Sequence, residues 1–214
     1  MRFLSNFNKN YICALFASIT IFGNALGKEN FLPQAFRVDY DKEYNSSVGK
    51  KLKKSAGTLE YQFPGKIVME QKTPSKAIFV SDSKKTWYYT APFVDTEQGE
   101  VIIRPAKGVL ITKILDLLQK GLNSNKLYKV EKKKKSYEVL FTENMKEELG
   151  GVEKLILTFN QGKDVFLNVK KMRLIFSDNK SPENYKFSKF DTGVQYGKSH
   201  FEFKIPDNTK VSEY

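Results

Sequence analysis

Between Gly57 and Tyr89 the chain reads GTLEYQFPGKIVMEQKTPSKAIFVSDSKKTWYY, and this stretch leaves few folds open. Leu59, Tyr61 and Phe63 alternate with Thr58, Glu60 and Gln62, the period of two that gives a strand one apolar face. Pro64-Gly65 then turns the chain. Ile67 and Met69 continue an apolar face, with Val68 pointing the other way, until Thr73-Pro74-Ser75 turns it again. Ile78 and Val80 follow, with Ala77 and Phe79 opposite. Asp82-Ser83-Lys84-Lys85 makes a tight polar loop, and Trp87 with Tyr89 opens a fourth strand. Three hairpins in so short a span predict an antiparallel meander.

The first residues read differently. Arg2 and Lys9 precede an apolar run from Tyr11 to Phe22, followed by Ala25-Leu26-Gly27. A basic start, a short apolar run and small residues at the −3 and −1 positions predict a secretory signal peptide, residues 1–27, cleaved before Lys28. About a dozen apolar residues fall short of a comfortable membrane span. The single cysteine, Cys13, lies inside this run and lacks the leucine and small residues of a lipoprotein signal, so it is not read as a lipid attachment site. The mature chain, expected as one domain over residues 28–214, would then carry no thiol. That excludes disulfides, cysteine-based zinc sites and thiol nucleophiles together. With 36 basic and 24 acidic residues the whole chain is strongly cationic. An anionic neighbour, phospholipid head groups or an acidic protein, suits that balance, and nucleic acid does not suit an exported chain. A lysine-rich composition without specific meaning is the alternative.

In order, Phe36, Val38 and Tyr40 alternate in a first strand, and Asn45 to Ser55 reads as a long polar hairpin loop. After the meander, Thr90 to Gly99 is another loop and Val101 to Arg104 a short strand. The pattern then changes period: Val109, Leu110, Ile111, Ile114, Leu115, Leu118 and Leu122 recur at helical spacing, with Gly121 and Asn123 as the stop. Thr112, Lys113, Asp116, Gln119 and Lys120 fall on the polar side of this one clear helix. Strands resume at Leu127–Val130 and Tyr137–Phe141, flanking the lysine block Lys132-Lys133-Lys134-Lys135. The block is either a solvated hairpin tip or an electrostatic foot on a membrane. Leu155–Phe159, Phe166–Phe176, Tyr185–Phe190 and Phe201–Ile205 complete the strands, with Pro206 closing the last.

The order G-x-L, proline, strand, proline, IFVSD, W-x-Y from Gly57 to Tyr89, followed at once by Pro92-Phe93-Val94, resembles the periplasmic outer-membrane lipoprotein carrier family (LolA-type). The likeness is close from Gly57 to Val94 and weaker on both sides. It implies a mainly β fold: a single curled antiparallel sheet of about 11 strands forming an unclosed barrel, covered on its concave side by one or a few helices. Two departures stand out. Carriers of this type place an amphipathic helix ahead of the first strand, and only eight residues separate the expected cleavage point from Phe36. Many of them also carry an arginine just before the first turn proline, whose hydrogen bonds to the lid help set cargo release. Here that residue is Phe63, so the polar latch would be absent and the chamber more apolar at its mouth.

A wide twisted sheet with one apolar face must cover that face, either by filling a closed interior or by enclosing a cavity. The residues leave both open; the resemblance implies the cavity. A cavity suits acylated cargo, because each buried methylene is worth about 0.8 kcal/mol and a long acyl chain approaches the order of 10 kcal/mol. The expected lining is Tyr61, Phe63, Met69, Ile78, Trp87 and Tyr89 from the sheet, with Leu110, Ile114 and Leu118 from the helix. Met69 suits it because a thioether adapts to irregular shapes. For each of these, plain core packing is the alternative.

Enzyme chemistry finds no footing. The one histidine, His200, has no nucleophile elbow near it, and no H-x-x-x-H pair, phosphate-binding GK[ST] loop or dinucleotide glycine pattern occurs. Glu143, Glu147 and Glu148 read as a solvated turn. The chain is therefore expected to be a non-enzyme without cofactor or metal, a monomeric carrier of acylated lipoproteins or another lipid. The resemblance implies an inner-membrane ABC-type release complex as donor and an outer-membrane lipoprotein of similar fold as acceptor. A periplasmic interaction or sensor module with a filled interior is the competing expectation.

Overall fold

Twelve strands form one continuous sheet in a computed structural model of the chain, which describes residues 30–46, 51–94, 96–106, 110–177 and 180–214. The expected signal peptide with Cys13, and Val109 of the expected helix, lie outside these residues. In chain order the elements are β1 (Ala35–Asn45), β2 (Leu52–Gln62), β3 (Lys66–Thr73), β4 (Ala77–Asp82), β5 (Lys85–Thr90), β6 (Gly99–Pro105) and α1 (Leu110–Leu118). There follow β7 (Tyr128–Lys132), β8 (Ser136–Phe141), α2 (Glu143–Glu148), β9 (Val152–Phe159), β10 (Val169–Phe176), β11 (Glu183–Asp191) and β12 (Thr209–Glu213). Spatially the order is β12-β6-β5-β4-β3-β2-β1-β11-β10-β9-β8-β7, so the sheet keeps two edges and does not close.

This topology explains the helix. β6 and β7 are consecutive strands near opposite edges, and the connection between them must cross the sheet. α1 is that crossing. It seats Ile111, Ile114, Leu115, Leu117 and Leu118 on the concave face, against Phe36, Val38, Leu59, Tyr61 and Ile67 from one half and Val139, Leu155, Leu157, Met172 and Leu174 from the other. Phe166, in a short 3-10 turn before β10, completes this core.

The meander stands where alternation put it, as β2 to β5. Gly57 marks a register shift between β2 and β3, and a Cβ there would collide with the Glu70 carbonyl oxygen. Several expectations need correction. Within the expected loop Asn45 to Ser55, Asn45 and Leu52–Ser55 belong to strands, β1 pairing with β2 as far as Asn45 opposite Leu52, and residues 47–50 lie outside the described residues. Alternation is hidden there because Leu52, Lys53 and Lys54 are exposed in succession, on both faces of the strand. Glu143, Glu147 and Glu148 are exposed, but on α2 rather than on a turn, with Met145 and Leu149 as its buried anchors. The segment Phe201–Ile205 is not a strand. The chain from 192 to 208 is instead an irregular strap across the convex face, ending in β12, which adds to β6 in parallel. The sheet is therefore mixed, with one parallel edge pair.

Four side chains pin the strap. The Tyr196 hydroxyl donates to the Phe36 carbonyl at 2.9 Å, and His200 Nε2 meets Glu60 Oε2 at 2.6 Å. Phe201 is buried beside Lys66, and the Phe203 ring packs 5.5 Å from Tyr89. Apolar residues at 201 and 203 mimic strand alternation because the strap too has one side to bury.

Buried phenols give this fold a defined alkaline limit. Burial, with a smaller contribution from the nearby Tyr88, pushes Tyr40 up to about 12 from an ordinary 10.0. Burial likewise raises Tyr61, Tyr128 and Tyr185, helped at Tyr61 by Asp116 and at Tyr185 by Glu183. The folded protein thus holds these protons where the unfolded chain, titrating near 10, releases them. Their contribution to stability is complete below about pH 10 and falls as pH rises towards the folded-state value, by about 1.4 kcal/mol per pH unit for each such tyrosine. Urea unfolding between pH 8 and 11.5 should show a plateau and then a decline starting near 10. A flat profile to 11.5 would contradict the burial of these rings.

Candidate functional site: an uncovered apolar wall beside a latched helix

Cross-strand partners share a face of a sheet, so register assigns every residue of the meander to one side. Leu59, Met69, Phe79, Tyr88 and Ile102 are successive partners from β2 to β6, and Leu59 and Met69 belong with the core under α1. This row therefore runs along the concave face. Towards β6 the helix no longer covers it. Leu59 is fully buried, Met69, Phe79 and Ile102 are half-buried, and Tyr88 is 48% exposed. A continuous apolar wall thus emerges from the core.

The row Thr58, Glu70, Ile78, Tyr89 and Val101, and its neighbour Glu60, Val68, Val80, Trp87 and Ile103, lie on the other face. Ile78, Trp87 and Tyr89 pack there with Val101, Ile103 and Phe203 of the strap. Of the nine expected lining residues, these three do not share a chamber with the rest. β4 and β5 are apolar on both faces (Ile78-Phe79-Val80, Trp87-Tyr88-Tyr89), so alternation could not tell wall from convex core. Tyr61, Ile114 and Leu118 are fully buried, and Leu110 packs on the same core. They fill the space beneath the helix. Met69 alone of the nine stands on the wall.

Phe63, 39% exposed, borders a different feature. An open cleft of about 640 Å³ separates the β2–β3 turn from the outward sides of α1 and α2. Phe63, Pro64, Leu117 and Met145 give it apolar surface, and Lys113, Asp116 and Glu148 rim it. At its base lies a latch. Asp116 Oδ1 accepts from the Tyr61 hydroxyl at 2.5 Å and from the Gly65 backbone N–H at 3.1 Å. Gln119 Nε2 donates to the Pro33 carbonyl at 2.9 Å, and Lys113 Nζ to the Glu148 carbonyl at 2.8 Å. The polar stripe of α1 is thus occupied in tying the helix to the turn, the N-terminal segment and α2. Helical periodicity marked Asp116 as merely solvated, because its partners are remote in sequence.

Among the described residues no three His, Cys, Asp or Glu side chains are placed to hold a metal ion, and no helix is long and apolar enough to cross a membrane. His200 belongs to the strap, stacked on Tyr196 with ring centroids 4.4 Å apart.

The family model described as "Outer membrane lipoprotein carrier protein LolA" matches residues 33–204, which takes in the whole meander, α1, α2 and the strap as far as residue 204. The chain belongs to this LolA family. An outer-membrane lipoprotein carrier protein from Pasteurella multocida is 39% identical over 57 residues, a match spanning 27% of this chain and 27% of that protein. Similar solved structures include an uncharacterized conserved protein from Thermus thermophilus, with TM-score 0.49, 10% identity and coverage of 86% of this chain and 92% of that one. Another is a LolA superfamily protein from Nitrosomonas europaea, with TM-score 0.48, 8% identity and coverage of 81% and 92%. The description of the family names outer-membrane lipoprotein carrier proteins.

Proposed function

We propose that this LolA-family protein is a periplasmic carrier that shields the acyl chains of lipoproteins, or of another lipid cargo, on the concave wall formed by Met69, Phe79, Tyr88 and Ile102. The observation that carries this reading is the wall itself: a row of apolar side chains continuous with the core and left uncovered by α1. A protein that needed only to be stable would have extended its helix over that row or made it polar. Burial against the wall requires shape tolerance rather than hydrogen bonds, which suits cargo recognised by hydrophobicity. α1, held by Asp116, Gln119 and Lys113, bounds the wall on one side and would have to yield for deeper burial of a chain. Export by the leader at residues 1–27, cargo received from an inner-membrane ABC-type complex, delivery to an outer-membrane acceptor, and a monomeric carrier without catalysis complete the proposal.

The packing beneath α1 favours one other reading. Tyr61, Ile114, Leu115 and Leu118 leave that part of the interior filled, as an interaction module would require. Organic extraction of the purified protein followed by lipid mass spectrometry separates the two. Acylated species co-purifying near one per protein are expected for the carrier. Lipid-free protein that also fails to take up a fluorescent fatty acid would overturn it.

A further inference from the structure

The lysine block seen in the sequence occupies the β7–β8 hairpin tip, and the structure brings a second loop against it. Across residues 129–136 and 161–164 the chain has six lysines against two acids, Glu131 and Asp164. Both carboxylates are already engaged. Glu131 takes Lys129 and Lys133, each at 3.1 Å, and Asp164 takes Lys132 at 2.8 Å and the Tyr137 hydroxyl at 2.6 Å. Lys134 and Lys135 are exposed, with no ion-pair partner among the described residues. Between tip and loop lies a pocket of about 250 Å³, walled by Lys132 to Lys135 and by Asn160 to Gly162. Two half-buried aromatic rings, Tyr137 and Phe159, line it edge to face at 5.6 Å.

We propose that this tip is a docking site for the phosphate head groups of an anionic membrane surface. Four consecutive ammonium groups repel one another, and a fold that keeps them on one hairpin while neutralising only part of the charge leaves a local excess for an external anion. The cations are lysines, which act as hydrated point charges suited to a diffuse headgroup layer, rather than arginine forks suited to one fixed carboxylate or phosphate. Tyr137 sets an amphipathic ring beside them, with Lys132 Nζ 5.1 Å from its centroid, as aromatic side chains do at a lipid–water boundary. The site is separate from the concave wall, and its occupation does not depend on whether the wall holds acyl chains.

Flotation of the purified protein with vesicles of phosphatidylcholine alone, or containing one-third phosphatidylglycerol, tests it. Binding is expected only to the anionic vesicles and should be lost at high salt. Each lysine at such a surface changes partitioning about fivefold, so Lys134→Gln with Lys135→Gln should weaken it by about 25-fold. The variant removes only exposed charges, and an unchanged circular dichroism melt confirms its fold. Lys72→Gln with Lys76→Gln, at the end of β3 and in the β3–β4 turn at the other end of the sheet, makes the same change in net charge and should weaken binding less than fivefold. Equal losses in the two variants would assign binding to net charge alone and overturn the site. So would an absence of binding to anionic vesicles. Retained binding to poly-glutamate, lost only in the Lys134/Lys135 variant, would then assign the tip to an acidic protein.

Discussion

Phe79→Glu should abolish retention of a fluorescent acyl probe, while leaving the protein folded. Phe79 stands in the middle of the concave row, between Met69 and Tyr88, and is only half-buried in the free protein. A bound chain would cover it, so its ring contributes burial worth about 1.5–3 kcal/mol that the substitution removes. The introduced carboxylate must also be stripped of water whenever a chain lies on it, a cost of further kilocalories unless a partner is found. Its cross-strand partners on that face, Met69 and Tyr88, carry no cation. Together these place the loss of affinity at 100-fold or more. The comparison that gives the result meaning is Leu52→Glu. Leu52 is 61% exposed at the start of β2, on a hairpin end away from the wall, and its replacement should change affinity less than threefold (about 0.7 kcal/mol). A probe that binds the wild type and binds Phe79→Glu equally well would remove the wall from the mechanism, whatever else carries the lipid.

The wall was only partly legible in the chain. Strand existence was plain, since Leu59-x-Tyr61-x-Phe63 and the two proline turns fix both period and hairpin, and the register follows from them. Facing was plain only where one side of a strand is polar. In β2, Glu60 and Gln62 declare the outside. In β4 and β5 both sides are apolar, because the strap from 192 to 208 supplies a second buried layer on the convex face. Alternation therefore points to Ile78, Trp87 and Tyr89 as readily as to Phe79 and Tyr88. The strap itself escaped for a related reason. Phe201 and Phe203 alternate as strand residues would, yet their backbone pairs with no neighbour, and the pairing strand begins only at Thr209 in a segment with a single apolar residue, Val211. Asp116 shows the complementary failure, a charge on the polar side of an amphipathic helix whose role appears only when β2 folds against it.

Phe166→Ala should be among the most destabilising single changes in the protein, and it should leave the wall intact. The ring has no exposed surface and meets four others, Phe36 at 5.2 Å, Phe190 at 5.7 Å, Phe187 at 5.9 Å and Phe31 at 6.0 Å. Its backbone is held as well, the Phe166 N–H donating to the Phe31 carbonyl at 3.0 Å. It therefore joins the N-terminal segment, β1, β11 and the approach to β10, elements far apart in sequence. Neighbours tied to two separate strands and to the N-terminal segment cannot all move inwards, so most of the vacated space would persist as a cavity. Truncations of this kind cost about 3–5 kcal/mol, against a total stability of roughly 5–15 kcal/mol for a domain. At about 2–4 °C per kcal/mol for a chain of this size, the thermal midpoint should fall by about 10 °C. Below that lowered midpoint acyl-probe affinity should stay within threefold (about 0.7 kcal/mol) of wild type, because Phe166 lies in the packed core, among rings of β1 and β11, while the wall runs from β3 to β6. Phe79→Glu and Phe166→Ala thus separate the two uses of one concave face. The first should lose lipid without losing stability, and the second should lose stability without losing lipid. A Phe166→Ala protein that melts as the wild type does would show that the aromatic cluster is not the centre of the fold.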